Sequence, residues 1–315
     1  MKITRRASRK RPWRPSASRS PKSSPTATAS STDTARDQTR RLPLFRDAAS
    51  ALREVPVLEV RAARKVFYRG QPDEKIALNG LDLTLKTGEF GVVIGSNGAG
   101  KSSMLNAISG SLSLDSGQIL INGDDITALP VHKRATRIAR VFQDPMLGTA
   151  ASMTVAENML LAELRSKKRT LRHGLNAKRL ADYRDRLAIL GLGLEERLET
   201  RVDLLSGGQR QSLSLIMAVG GSPDLLLLDE HTAALDPRTA DIVMEATVRA
   251  VDALKLTTLM VTHNMQHAVD YGHRVIMLNA GRVHLEIGGE EKANVTVADL
   301  VGHFAIKTDS MLLAS

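Results

Sequence analysis

Apolar positions follow two periods along this chain, and the places where one period gives way to the other mark its elements. Val57-Leu-Glu-Val-Arg alternates apolar and polar residues, the mark of a half-buried strand. Ile76–Leu85 alternates again, with Asn79-Gly80 reading as a turn inside it. Phe90–Ile94 is a short apolar run that enters a glycine-rich loop, after which Met104, Leu105, Ile108 and Leu112 recur on one helical face. Further strands are predicted at Arg137–Phe142, Leu225–Leu228, Thr258–Val261 and Val275–Leu278. Helices between them imply a mostly parallel sheet covered on both faces. From Thr154 to Leu205 the strand pattern stops. Val155–Leu164 and Arg179–Leu190 read there as amphipathic helices, predicting a helical insert over about 144–205. Residues 165–171 begin a basic stretch expected to form a solvated loop, and Val295–Leu300 reads as a short helix.

Composition changes the picture at the N-terminus only. Residues 1–54 are rich in Arg, Ser, Thr, Ala and Pro with almost no apolar period, so a disordered basic tail is expected before a folded domain over 55–315. The net charge of +10 belongs to this tail. Residues 1–53 hold 14 Lys/Arg against three acids, whereas the rest of the chain holds 30 against 31. A nearly neutral folded part argues against a nucleic-acid protein, and no nucleic-acid partner is expected. The tail fits a solvated extension, an arm for acidic surfaces, or an Arg/Ser-rich transit peptide. It lacks the apolar stretch of a secretory signal. No apolar run approaches the roughly 20 residues that cross a bilayer. Cysteine is absent, which removes disulfides and thiolate metal sites.

Three strings carry chemistry. Gly95-Ser96-Asn97-Gly98-Ala99-Gly100-Lys101-Ser102 fits GxxxxGK[ST] between a predicted strand and a helix. Glycines let backbone N–H groups curl around phosphate oxygens, and the helix start favours negative charge. Lys101 is placed to reach the β/γ-phosphates, Ser102 to ligate Mg²⁺, and Ser103 to donate to the α-phosphate. Leu225-Leu-Leu-Leu-Asp229-Glu230 delivers two carboxylates at the end of a buried strand, the edge where open α/β sheets bind ligands. Asp229 is expected to hold Mg²⁺ and Glu230 to orient and polarise the attacking water. Leu205-Ser206-Gly207-Gly208-Gln209 can open another anion-binding helix start.

That last string is similar to the signature motif of ABC ATPases, and the resemblance extends over roughly residues 57–290. It implies a P-loop NTPase (RecA-like) α/β fold, a mostly parallel sheet with an N-terminal antiparallel β portion and a helical insert. Through it Phe67 is expected to stack on adenine, with Tyr68 as fallback, and Gln143 to sense Mg²⁺ and the attacking water. Asp236 matches the loop aspartate at a dimer seam, and His263 the histidine that contacts the γ-phosphate. Each site would combine Lys101, Ser102, Asp229, Glu230 and His263 of one copy with Ser206, Gly207, Gly208 and Gln209 of another, in a homodimer holding ATP and Mg²⁺. The implied partners are an integral-membrane permease and an extracytoplasmic substrate-binding protein, the location the cytoplasmic membrane face. Two departures stand out: His231 follows Glu230 where many relatives carry Pro, and the helix after the signature lacks arginines common near Ser212 and Met217. The strings DEHTAALDP and VTHNM resemble bacterial importer ATPases that accompany tryptophan/tyrosine-type binding proteins. An exporter ATPase, or a non-transport ABC ATPase acting on ribosome or nucleic acid, is the alternative.

Overall fold

A computed structural model describes residues 56–166 and 174–303, all within the unit Leu42–Ser315. The tail predicted over 1–54 and most of the basic stretch at 165–171 lie outside the described residues. Two sheets form the frame. Strands β1 (Pro56–Phe67), β2 (Lys75–Lys86), β4 (Ser116–Ile121) and β5 (Asp124–Asp125) pair antiparallel in the order β2-β1-β4-β5. Strands β3 (Phe90–Gly95), β6 (Ile138–Val141), β7 (Leu225–Asp229), β8 (Thr257–Val261), β9 (Arg274–Asn279) and β10 (Arg282–Gly288) form the second, in the order β10-β9-β3-β8-β7-β6. All of its pairings are parallel except that of β10, which returns antiparallel along β9. The expected fold class is therefore what the chain adopts.

The unbroken apolar runs follow from burial on both sheet faces. Successive side chains of a strand point to opposite sides. Leu225 and Leu227 join Val93, Leu259 and Val261 in a core shared with the antiparallel sheet and with α1 (Lys101–Ser109). Leu226 and Leu228 join Phe90, Val92, Ile94 and Met260 in a second core, under α5 (Gly207–Val219), α6 (Pro237–Leu254) and α7 (Met265–Asp270). No polar position interrupts β7 because neither face meets water.

Between residues 145 and 219 the described elements are helices and 3-10 turns, including α3 (Val155–Glu163) and α4 (Ala177–Ala188). The start and end of this stretch are tied together: Thr154 bridges Arg201, Val155 N donates to Thr200 O at 3.0 Å, and Val202 N to Met153 O at 3.0 Å. A capping box at Thr154 and Glu157 opens α3.

Three expectations need correction. Asn79-Gly80 is not a turn, because β2 runs straight through it. Gly80 sits at φ +72 as a bulge that offsets an opposite register shift at Arg61-Ala62 in β1. Leu112 is not on the helix after the phosphate loop: Gly110, at φ +86, ends α1 first. The C-terminal helical turn begins at residue 297 rather than 295, where Thr296 and Asp299 exchange cap bonds. Strands β4 and β10 carried no prediction.

Candidate functional site

Parallel register brings the chemistry to one edge. Val93 pairs with Val261, Asp229 with Val261 and Val141 with Leu228, so β3, β6, β7 and β8 all end at one level. The loop 95–100 leaves β3 there, Asp229 and Glu230 close β7, His263 lies two residues past β8, and Gln143 stands exposed two residues past β6. Sheet topology thus gathers side chains more than 150 residues apart.

The loop is braced from behind and open in front. An added Cβ at Gly95 would lie 2.7 Å from Leu278 O, and one at Gly100 (φ +104) 2.6 Å from Ala77 O. Gly281 N donates to Ala99 O at 3.0 Å, and Asn79 N to Gly281 O at 2.9 Å, so the tight β9–β10 turn buttresses the loop. A Cβ at Gly98 (φ +83) would meet nothing nearer than Lys75 Nζ at 4.0 Å. Gly100 provides no side-chain cap for α1, which leaves the first-turn N–H groups around exposed Ser102 and half-buried Ser103 ready for an anion.

Lys101 is only 7% exposed, and its ammonium donates to Gly95 O at 2.7 Å and Ser96 O at 3.2 Å. Burial pushes its pKa below the ordinary lysine value, against an opposing pull from the Glu230 charge. A buried cation satisfied only by carbonyls suits an incoming phosphate. Glu230 adopts φ +45, a left-handed backbone that costs a non-glycine residue about 1–3 kcal/mol. Its N–H is held by Val261 O at 3.0 Å, and its Oε2 lies 3.3 Å from His263 Nδ1. A carboxylate and an imidazole in contact beside the phosphate loop can order and polarise a water.

Asp229 is paired with a residue that motif reading passed over as context. Arg140, on β6, places its guanidinium 2.5 Å from Asp229 Oδ2 and 2.8 Å from Asn106 Oδ1 of α1. The same guanidinium stacks 5.0 Å from the Phe142 ring centroid. Cross-strand register is the only signal that could have found it, since β6 lies beside β7. The Ser102 hydroxyl, the Asp229 carboxylate and the Gln143 amide oxygen are oxygen donors of the kind Mg²⁺ takes, and Asp229 is held here by Arg140.

The remaining expected residues lie elsewhere or serve locally. Phe67 ends β1 half-buried, its ring centroid 6.4 Å from that of the exposed Tyr68. Ser206 caps α5 by accepting from Gln209 N at 3.2 Å, while the Gln209 side chain returns to Ser206 N and donates to Leu192 O. An added Cβ at Gly207 would meet Leu235, and one at Gly208 would lie 2.7 Å from Thr239 Cγ2, so these glycines let α5 approach α6. Asp236 caps α6 through Thr239 N at 3.1 Å, and hydrogen bonding from the Thr239 side chain, then from its N–H, holds its carboxyl below the usual range. His231 is buried, its pKa pushed down to about 3 by burial and then by neighbouring His267, so it is neutral. The described residues thus assemble the phosphate-loop side and, on α5, a separate signature surface.

Comparison with known proteins points the same way. A family profile described as ABC transporter matches residues 78–233. A tyrosine transport ATP-binding protein of Clostridioides difficile is 45% identical over 252 residues, covering 79% of this chain and 98% of that protein. A probable branched-chain amino acid transport ATP-binding protein of Archaeoglobus fulgidus is 32% identical, over 64% of this chain and 82% of its own length. Among solved structures, an ATP-binding cassette in its ADP conformation superposes with a TM-score of 0.64 at 25% identity, covering 76% of this chain and 94% of that one. A dimeric cassette in a post-hydrolysis state with ADP and Pi gives 0.61 at 26% identity, over 73% and 98%.

Proposed function

The chain belongs to the ABC transporter family as an ATP-hydrolysing subunit, and from that premise we propose that it powers a membrane importer of an amino acid. One observation carries the import reading: near-complete coverage, at 45% identity, of a relative named for tyrosine transport. A separate permease supplies the path; among the described residues no helix is long and apolar enough to cross a membrane. An extracytoplasmic binding protein delivers the cargo, and the ATPase works at the cytoplasmic membrane face.

Two copies are required. Lys101, Glu230 and His263 stand on the phosphate-loop side, while Ser206 and Gly208 open α5 against α6 on a separate surface. Head-to-tail pairing lets the signature of one copy close the nucleotide site of the other, and solved cassettes similar to this chain are dimeric. The backbone of 95–100 and Lys101 bind the β/γ-phosphates, Phe67 packs on adenine, and Ser102, Asp229 and Gln143 would hold Mg²⁺. That ion supplies charge neutralisation on the phosphate oxygens. Glu230 takes the proton of the attacking water, His263 steadies Glu230 and the γ-phosphate oxygen, and Asp236 sits at the seam. The Gln143 loop and the helical insert over about 144–205 form the surface that meets the permease.

The test is capture from native membranes. A Glu230→Gln variant, locked with ATP, is incubated with detergent-solubilised membranes and its bound proteins are identified by mass spectrometry. A polytopic amino-acid permease is the expected partner. Ribosomal proteins or DNA, with no membrane protein, would refute the transport reading.

A further inference from the structure

His231 is absorbed by none of these roles, although it adjoins the proposed hydrolytic glutamate. We propose that His231 is a positioning residue for hydrolysis, which anchors the turn after β7 to α6 and so keeps Glu230 aimed at the reacting water. This rests on the assignment of Glu230 as the base. His231 is 2% exposed, and its Nε2 lies 3.1 Å from Thr247 Oγ1 in the middle of α6. Thr247 is fully buried and spends its one hydroxyl proton on Val243 O at 2.8 Å. It can therefore only accept from the ring, so Nε2 of His231 carries the proton and donates.

Such a bond has a specific use at this place. Glu230 adopts a left-handed backbone that side-chain-bearing residues leave unless their surroundings hold them. Backbone bonds from Glu230 N to Val261 O (3.0 Å) and from Ala233 N to Glu230 O (2.9 Å) fix the peptide units on either side. The side chain that fixes the turn against a helix is that of the next residue, His231. It reaches α6, which begins at Pro237 behind its cap Asp236 and carries the seam loop on its N-terminus. A second histidine stands close by: His267, on α7 and four residues past His263, lies 3.6 Å from Asp241 Oδ1 of α6, beyond hydrogen-bond length. The His231–Thr247 bond is thus the side-chain tie between α6 and the turn bearing Glu230. A merely space-filling residue would need no donor here, because the Thr247 hydroxyl is already satisfied as a donor by the helix carbonyl.

The experiment compares His231→Leu, His231→Gln, Thr247→Val, the double variant His231→Leu/Thr247→Val and Glu230→Gln in the purified full-length chain. Steady-state ATP hydrolysis gives kcat and KM, and titration with fluorescent mant-ATP gives affinity. His231→Leu and Thr247→Val each lower kcat tenfold or more, with KM and mant-ATP affinity within twofold of the parent. His231→Gln, whose amide N–H can reach the same acceptor, recovers kcat to within threefold, and the double variant is no slower than either single one. Parental kcat in His231→Leu, a matching rise in KM, or no recovery by glutamine would each overturn the inference. Should His231→Leu fail to fold, Thr247→Val decides alone by the same criteria. Glu230→Gln separates the two layers. Parental turnover in that variant removes the role of Glu230 and this proposal with it. Its inactivity beside a normal His231→Leu removes only the proposal.

Discussion

Replacing Lys101 with methionine separates a phosphate-binding lysine from a structural one, because the two roles predict opposite balances of affinity and stability. The ammonium is buried against two carbonyls, Gly95 O and Ser96 O, and burial already disfavours its charge. A phosphate arriving at the open side of Gly98 gains a charge-assisted hydrogen bond worth about 1.5–3 kcal/mol. Loss of that bond weakens ATP binding roughly 10- to 150-fold, at about 1.4 kcal/mol per decade. The nucleotide-free protein changes little. Methionine keeps the stem's length, relieves a buried charge, and leaves Ser96 O still bonded to Ala99 N. A shift below about 1 kcal/mol moves the melting midpoint by less than about 4 °C in a domain of this size. The pH sign follows from the lowered pKa. The unfolded chain keeps this proton up to about the ordinary 10.5, the folded chain releases it earlier, and folded stability therefore rises with pH between the two values. Lys101→Met loses that slope. Titration with mant-ATP and melting without nucleotide measure both quantities. ATP affinity within twofold of the parent, or a midpoint lowered by more than about 8 °C, would refute the assignment and make Lys101 a strut of the loop.

Glu230→Gln keeps ATP affinity and lowers turnover by about 10²–10⁴ in a phosphate-release assay; a loss below threefold removes it as the base. Gly100→Ala costs at least ~2 kcal/mol in urea unfolding, from φ +104 and a Cβ 2.6 Å from Ala77 O. Gly70→Ala, also at positive φ but with no atom within 4 Å, costs about half that or less, and equal costs would show that strain alone matters. Arg140→Leu frees Asp229 from its 2.5 Å partner, so Mn²⁺ titration followed by electron paramagnetic resonance gives tighter metal binding while nucleotide-free stability falls by about 1–3 kcal/mol. Weaker metal binding in that variant would mean that Arg140 helps hold Asp229 for the metal instead of competing for it.

The parallel sheet was legible because burial on two faces writes itself as short apolar runs, of which Leu225–Leu228 is the plainest. Where a strand has one wet face and an irregular register, the signal thins. Asn79-Gly80 has the composition of a hairpin turn, yet glycine at positive φ serves a bulge equally well, and only pairing with β1 distinguishes them. β10 is an exception, since exposed Arg282, His284 and Glu286 alternate with Val283, Leu285 and Ile287, and the sequence carries its period-2 signal in full. Leu112 kept helical spacing by coincidence, since Gly110 had already ended the helix.

Site residues divide along the same physical line. Lys101, Asp229, Glu230 and His263 were legible as candidates because the chemistry proposed for them calls for particular side chains at the ends of particular strands, and that leaves a spacing in one dimension. Arg140, Thr247 and the Ala77–Asn79 brace meet no such demand. Each is defined by what lies across a sheet or under a helix: Arg140 by Asp229 on the adjacent strand, Thr247 by His231 sixteen residues away, Gly100 by a carbonyl of β2. His231 shows the boundary between the two kinds. It was visible as a departure from proline, but its place in the sequence could not reveal that a threonine on α6 had already given its proton away. Chemistry that acts on a ligand is therefore readable from residue type and order, whereas the groups that hold it in place become readable only once the neighbours they hold are known.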